Sequence, residues 1–216
     1  METDLLKKLD PFFHQYKPLY YKKGQIILRP EDKVDGIYFI EKGYVRFYSL
    51  SEDGRELTYL IYKPGYLFPI IYTFLGETTK YYFDALTPLI LRRAPRAAFT
   101  NLVVDNSSAL FSIGQEIVIR FEEMLNRMQY SAFGTAYQAV AHLLLNLGEQ
   151  FGTTKGQSVE INLPITHRDI ASMAGLTRET VSLAMKQLEE NKFIIYRRNH
   201  IAIKNADKFR KEINLY

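Results

Sequence analysis

The chain has 216 residues, of which 47% are apolar and 24% are charged, an ordinary balance for a folded protein with one large core or two modest ones. Its first residues, Met1-Glu2-Thr3-Asp4, are acidic and unlike a signal peptide, and no stretch approaches the roughly 20 apolar residues that span a bilayer. There is no cysteine, which excludes disulfides, thiolate metal sites and iron–sulfur clusters held by the chain, so we expect a cytoplasmic protein without a membrane partner.

The net charge of +4 is unevenly distributed. Residues 161–216 hold ten Lys and Arg against six Asp and Glu, which accounts for the whole excess and leaves the first 160 residues neutral. A basic segment of this kind is either a solvated tail or one face of a nucleic-acid-binding domain, and only a motif can decide between them.

Between about residues 18 and 100 the sequence is typical of short strands. Runs rich in Tyr, Ile, Val and Phe recur at roughly 8–12 residue spacing, and glycine-containing turn sequences separate them. The runs are Gln25–Leu28, Gly36–Ile40, Tyr44–Tyr48, Glu56–Tyr62 and Tyr81–Ala85. Many short strands without intervening helices predict an antiparallel roll or sandwich.

A long apolar stripe follows the N-cap candidates of Asp105–Ser108. Its members recur at steps of three and four residues, which predicts a helix over about 106–130 that packs on its own domain or against a second copy. The predicted dimer-interface residues are Leu110, Ile113, Ile117, Phe121, Met124 and Met128. Residues 131–134 break the periodicity and predict a hinge at Gly134. A helix over about 135–150 and a loop at Gly152–Gln157 follow.

Residues 166–186 carry the signals of a helix-turn-helix. Thr166 and Asp169 resemble a capping box, Gly175 lies where the turn favours a left-handed backbone, and Thr177 caps a second helix over about 177–190. The residues predicted to bury the inner face of the pair are Ile170, Leu176, Val181 and Leu188. This arrangement favours DNA binding over two ordinary core helices, and it also favours dimerisation through the long helix.

The outward side chains of the second helix suit base recognition. Arg178 can donate two hydrogen bonds to guanine, Glu179 can accept from cytosine N4, and Ser182 can pair with either base. Downstream, Phe193–Tyr196 and Ile201–Ile203 flank a basic tip and predict a wing. The remaining residues predicted to contact DNA, mostly at phosphates, are Thr166, His167, Arg168, Thr177, Thr180, Leu183, Lys186, Arg197 and Arg198.

Gly175–Ser182, then Leu188–Glu190 and the wing, resemble the DNA-binding domain of the cyclic AMP receptor protein/FNR (Crp/Fnr) family. Tyr20–Ile27 and Tyr38–Arg46 are similar to pieces of that family's roll, so the resemblance covers nearly the whole chain. It implies an α+β fold with an N-terminal antiparallel β-roll (a cyclic-nucleotide-binding-like jelly roll), a long dimerisation helix and a C-terminal winged helix-turn-helix. The implied domains are a sensor domain with its helix at 1–134 and a DNA-binding domain at 135–216.

By the same resemblance the protein is a homodimeric transcription regulator of double-stranded DNA. Each of its two recognition helices would enter a successive major groove of a near-palindromic operator. A regulator that activates transcription would have RNA polymerase as a further partner.

One departure from the family lies in the recognition helix. The family carries a second arginine facing the bases, but Leu183 occupies that position here. Leucine cannot donate to guanine, although it could meet a thymine methyl group, so the half-site should differ from the usual family site at that point.

A second departure lies in the effector region. Members that bind cyclic nucleotides carry a Gly-Glu-Leu run and then Arg-Ser or Arg-Thr, but Leu67–Ile71 and Thr79-Lys80 stand at those positions. Without the arginine a buried cyclic phosphate would be poorly compensated, so we expect no cyclic AMP binding. Haem is disfavoured as well, because all four histidines lie outside residues 18–100.

The roll is rich in aromatic residues, which either pack its core or line a pocket for a planar or apolar small molecule. In the second case the family geometry puts Tyr72 and Tyr81 on the pocket wall and Glu123 and Met124 on its helix side. A third alternative is a roll that binds nothing, in a dimer that acts constitutively. The effector stays unknown, and no cofactor is implied.

An enzyme is a rival class. Cupin enzymes share a β-roll, but their metal site needs two or three His and a Glu converging in the barrel, and the sequence offers no such cluster. It also lacks a Gly-rich phosphate loop with Lys and a nucleophile elbow, so we expect no catalytic residue and no metal. The remaining alternative, a nucleotide- or metabolite-sensing module that regulates a partner protein without DNA, does not explain the helix-turn-helix.

Overall fold

The computed structural model describes residues 9–197 and 200–213, which fall into two compact units. The first unit is Met1–Phe121 and the second is Glu122–Tyr216, so the boundary lies inside the long helix Ser107–Phe133. The sequence predicts a boundary after residue 134, because the apolar periodicity is lost there. That position lies at the end of the same helix.

Two four-stranded antiparallel sheets form the frame of the first unit. The strands are β1 (Pro18–Tyr21), β2 (Ile26–Leu28), β3 (Gly36–Lys42), β4 (Val45–Leu50), β5 (Glu56–Tyr62), β6 (Leu67–Phe68), β7 (Tyr82–Ala85) and β8 (Leu89–Pro95). They pair in the orders β1-β8-β3-β6 and β2-β7-β4-β5. The roll expected from the sequence is confirmed, and each of the five expected runs contributes a strand.

Aromatic and aliphatic side chains fill the core of the roll. Ile40, Phe68, Phe83 and Leu91 are fully buried there, and the rings of Phe68 and Phe83 stack with their centroids 5.4 Å apart. Such offset ring pairs add to the free energy gained from burying their area, so the aromatic richness of this segment stabilises the core.

Besides a helical segment at residues 9–14, the described part of the first unit contains the helices α1 (Ile70–Leu75), α2 (Arg96–Val104) and α3 (Ser107–Phe133). The start of α3 packs on its own unit, where Ile113 is 1% exposed in a core cluster with Phe13, Phe99 and Val103. The prediction of Ile113 as a dimer-interface residue is therefore wrong, because this position on α3 faces its own core. The other five residues of the stripe are between 39% and 68% exposed.

The second unit contains the end of α3 and a small helical domain on a four-stranded sheet. Its elements are α4 (Ala136–Phe151), β9 (Gly152–Lys155), β10 (Ser158–Ile161), α5 (His167–Ala174), α6 (Arg178–Glu190), β11 (Ile194–Arg197), β12 (His200–Ile203) and α7 (Ala206–Ile213). The sheet order is β11-β12-β10-β9. None of the helices in the described parts of the chain combines the length and apolarity needed to cross a membrane.

The structure corrects the loop expected at Gly152–Gln157. Residues Gly152–Lys155 form β9, which pairs with β10 across a tight turn at Gly156, whose φ is +62°. Glycine accepts that backbone angle without a steric penalty, and the β-branched Thr153 and Thr154 suit an edge strand. The turn residues are thus a hairpin signal rather than a loop signal.

Candidate nucleic-acid interface

The first helix of the helix-turn-helix, α5, begins with a complete capping box. The Thr166 hydroxyl oxygen accepts from the backbone N–H of Asp169 at 3.3 Å, and the Asp169 carboxylate accepts from the backbone N–H of Thr166 at 2.7 Å. The prediction of a cap at this position is confirmed. The Thr166 hydroxyl also lies 2.7 Å from the same carboxylate as a donor, so its proton is already in use within the protein.

Gly175 ends α5 in the left-handed region with a φ of +67°, and its N–H donates to the carbonyl of Ala171. This backbone reversal turns the chain into α6, as the sequence predicted. An L side chain in this region clashes with the neighbouring carbonyl oxygen, so only glycine adopts it freely.

We expect Gly175→Ala to lower the free energy of unfolding by about 1–2 kcal/mol, because alanine is strained at this positive φ. Chemical denaturation measures the loss. Gly175→Asn is the matched control, since asparagine tolerates the left-handed region and should lose clearly less stability than alanine. Equal stability of the alanine variant and the wild type would contradict this account of the turn.

The recognition helix, α6, is amphipathic. Thr177 caps it by accepting from the N–H of Thr180 at 3.1 Å. Its inner face is buried through Val181, Ala184, Met185 and Leu188. On the opposite face lie the exposed side chains of Arg178, Glu179, Leu183 and Lys186. The helical repeat of 3.6 residues separates the two faces, so the outward residues do not take part in packing the core.

The outward face of α6 places three different chemistries within two turns. Arg178 offers a planar set of donors and Glu179 an acceptor, whereas Leu183, which is 66% exposed, offers only apolar surface. Lys186 lies 3.8 Å from Glu190 in an exposed pair that solvent screens strongly. A helix that presents this set to solvent fits the floor of a DNA major groove.

Two predicted contact residues, His167 and Ser182, are partly buried and hydrogen-bond to each other. The Ser182 hydroxyl donates to the carbonyl of Arg178 at 2.9 Å and lies 2.9 Å from Nδ1 of His167. The ring of His167 stacks on Tyr196 with the centroids 4.6 Å apart. Sequence reasoning missed this cluster, because nothing in the spacing of residues 167, 182 and 196 indicates that they meet.

The wing continues from α6 through β11 and β12. The carboxylate of Glu189, near the end of α6, accepts from the backbone N–H of Tyr196 at 2.9 Å and so fixes the start of the wing to the recognition helix. Arg197 and Arg168 are exposed, and Thr180 is partly buried. Arg198 lies outside the described residues.

The end of α3 belongs to the same unit and contacts this domain through two side chains that the sequence did not reveal. Arg127 donates from Nη2 to the carbonyl of Met173, at the end of α5. Burial lowers the pKa of Arg127, and the nearby Glu123 opposes that shift. The ring of Tyr130 stacks on His142 of α4 with the centroids 3.8 Å apart.

Of the predicted effector residues, Tyr72 and Tyr81 lie together in the roll, with ring centroids 6.4 Å apart. They continue an aromatic cluster in which Tyr81 meets Phe47 at 5.0 Å and Tyr59 at 5.2 Å. Tyr72 is buried and Tyr81 is partly buried. Glu123 and Met124 belong to the second unit, where Glu123 is partly buried and Met124 is exposed.

A polar group on α3 contacts the roll near these rings. Arg120 donates to the hydroxyl of Tyr66, its guanidinium carbon lies 4.7 Å from the centre of that ring, and it pairs with Glu116 at 2.8 Å. The two stretches that would clamp a cyclic phosphate in the family hold no arginine: Leu67–Ile71 forms β6 and the start of α1, and Lys80 is exposed. The residues present do not fit a cyclic nucleotide.

Comparison with known proteins agrees with both units. A cyclic nucleotide-binding domain model matches residues 18–106, and a Crp-like helix-turn-helix domain model matches residues 138–212. The global nitrogen regulator of Synechococcus elongatus is 23% identical over 190 residues, covering 86% of this chain and 84% of the relative. The nitrogen fixation regulation protein FixK of Bradyrhizobium diazoefficiens is 26% identical over 188 residues, covering 85% of this chain and 76% of the relative.

Solved structures show the same fold. A CooA mutant from Carboxydothermus hydrogenoformans has a TM-score of 0.82 at 19% identity and covers 97% of this chain and 95% of its own. FixK2 from Bradyrhizobium japonicum has a TM-score of 0.78 at 22% identity, and the match covers 91% of this chain and 96% of FixK2.

A β-roll followed by a long helix and a winged helix-turn-helix defines a DNA-binding regulator. The chain belongs to the Crp/Fnr family of transcription regulators. The comparisons indicate no enzymatic family.

Proposed function

We propose that this protein is a homodimer that recognises a near-palindromic operator, with α6 of each protomer in one of two successive major grooves. In this proposal Arg178, Glu179 and Leu183 read base edges. Arg168, Lys186 and Arg197 contact phosphates, as would Arg198. The protein works in the cytoplasm without catalytic activity or a cofactor, and it contacts RNA polymerase wherever it activates transcription.

One observation carries the proposal: the outward face of α6 is exposed while its inner face is fully packed. Arg178 and Glu179 lie in the first turn, just beyond the Thr177 cap, where helix N-termini approach the bases in helix-turn-helix proteins. The positive end of the helix dipole also favours nearby phosphates.

Dimerisation is supported by the surface of α3. Ile117, Phe121 and Met128 are 39%, 60% and 68% exposed on one side of the helix. A continuous apolar stripe of this kind is unusual on a free surface, and a second copy of the same helix would bury it in a coiled-coil seam. The two recognition helices would then be related by the same two-fold axis as the operator halves.

The effector, if the roll takes one, is not a cyclic nucleotide. The clamp positions lack arginine, and the rings of Tyr72, Tyr81 and their neighbours pack against each other. An apolar or planar small molecule that inserts between these rings is the ligand class that the lining favours.

Selection of DNA from random sequence, followed by fluorescence anisotropy on the selected site, tests the proposal. We expect a site with two inverted half-sites about one helical turn apart and an affinity that falls steeply with salt, because Lys and Arg release counterions from the phosphates. Failure to enrich any sequence would overturn it.

Within the selected site, Glu179→Ala should relax the preference at one G·C pair by about 1–3 kcal/mol, because cytosine N4 loses its acceptor. Binding to native and altered sites gives this difference. Lys211→Ala, an exposed change on α7, is the control and should leave the preference intact. An unchanged ratio in Glu179→Ala would remove the base-reading role from this residue.

A further inference from the structure

The ring of His167 links three elements of the DNA-binding unit. His167 is the first residue of α5, its Nδ1 lies 2.9 Å from the Ser182 hydroxyl of α6, and its ring stacks on Tyr196 of β11 at an interplanar angle of 28°. One side chain of the supporting helix therefore contacts both the recognition helix and the wing.

The proton positions in this cluster follow from the donors present. The single hydroxyl proton of Ser182 goes to the Arg178 carbonyl, so the Ser182 oxygen must accept from His167. This places the proton of a neutral ring on Nδ1 and makes Nε2 an acceptor. Nε2 is buried, with no hydrogen-bond partner among the described residues. A second proton there would have no acceptor to meet.

Burial and the positive charge of Arg178 favour the neutral form of the ring. Burial lowers the pKa of His167, and the positive charge of Arg178 lowers it further, whereas Glu189 opposes both. Tyr196 faces the ring from β11. Burial raises the pKa of Tyr196, and the negative charges of Asp169 on α5 and Glu189 on α6 raise it further, so this tyrosine stays uncharged. The ring thus has one hydrogen bond, one stacking partner and a positive neighbour.

We propose that His167 is a positioning residue: its neutral ring locks the recognition helix to the wing, and its protonation releases this lock and weakens operator binding. The inference rests on the proposed function, since it assigns a role in the same interface. It differs from the direct phosphate contact that the sequence suggests for this residue, because both ring nitrogens are engaged or buried inside the protein.

The sign of the pH dependence distinguishes the two roles. A histidine that contacts a phosphate gains affinity when protonated, so DNA binding would strengthen in acid. If the neutral ring is the lock, protonation of His167 competes with DNA binding. Linkage to one proton then weakens binding by up to about tenfold for each pH unit below the pKa of His167. That pKa lies below the usual histidine value of about 6.5.

Anisotropy titrations of the full chain on its selected operator, between pH 5 and 7.5, test the proposal. His167→Asn keeps a donor where Nδ1–H lies and cannot titrate, so it should retain most of the affinity at pH 7.5 and lose the acid-side decline. His167→Ala should weaken binding at every pH, by roughly tenfold for the lost hydrogen bond and stacking contact. His14→Asn, in the first unit, is the control and should keep the wild-type slope.

A wild-type slope in His167→Asn would overturn the proposal, as would wild-type affinity in His167→Ala. Nitrogen NMR shifts of the free protein give an independent reading, because they report the tautomer of His167 and its pKa without DNA. An Nε2–H tautomer there would refute the lock. If the wild type selects no DNA at all, the proposed function fails, and the NMR result still decides the state of the ring.

Discussion

Replacing Ile117 and Phe121 together by glutamate is expected to convert the proposed dimer into monomers and to weaken binding to the complete operator by at least about 100-fold. The reason is that two linked half-site contacts gain roughly 100-fold to 10,000-fold over one by effective concentration. Buried facing carboxylates cannot be accommodated in an apolar seam. Sedimentation equilibrium gives the mass, and anisotropy on full and half operators gives the loss.

The controls for this variant use the same helix. Asn126→Glu adds a carboxylate on an exposed position away from the stripe and should remain dimeric. Both replaced side chains are already exposed in the protomer, so the melting of the monomeric fold should change little. A dimer of wild-type mass in the double variant would rule out α3 as the interface.

Leu183→Arg is expected to give the protein a new preference for guanine at one position in each half-site, by about 1–3 kcal/mol, which is roughly 5-fold to 150-fold. Leu183 is 66% exposed on the outward face, one turn beyond Arg178 and Glu179, so the longer side chain needs no repacking. Parallel selections with both proteins should differ at that base pair.

Gln187→Arg separates charge from base reading in this experiment. It adds the same side chain at an exposed position on α6, outside the set predicted to touch bases. We expect a uniform rise in affinity that fades with salt and no new base preference, because phosphate contacts carry no sequence information. Identical selected sites for wild type and Leu183→Arg would show that Leu183 does not reach the bases.

The helix-turn-helix could be predicted because its signals are local. A capping threonine, a glycine with positive φ and an inward apolar pattern each act within a few residues, and the structure reproduces them at Thr166, Gly175 and Val181. Leu176, expected to be buried with them, is partly buried in the turn.

The parts that escaped prediction depend on contacts between distant residues. Strand β8 carries Arg92 and Arg93, which interrupt the apolar pattern by which a strand is recognised. In the structure Arg92 donates hydrogen bonds to the carboxylate of Glu41 at 2.7 Å and to the carbonyl of Tyr16 at 2.7 Å. Ile113 fits the apolar stripe by spacing and lies in the core only because Phe13 and Phe99 meet it there. The contacts of His167 with Ser182 and Tyr196 were missed for the same reason, since these partners lie 15 and 29 positions further along the chain.

The contacts of Arg127 and Tyr130 determine where a fragment must begin to contain the complete DNA-binding domain. A fragment starting at Thr135 would leave the Met173 carbonyl without its guanidinium donor and uncover the face of His142 that Tyr130 shields. A fragment starting at Glu122 keeps both. Isolated DNA-binding pieces should therefore be produced with the last three turns of α3 attached, and the shorter piece should exchange its amide hydrogens faster around α4 and α5.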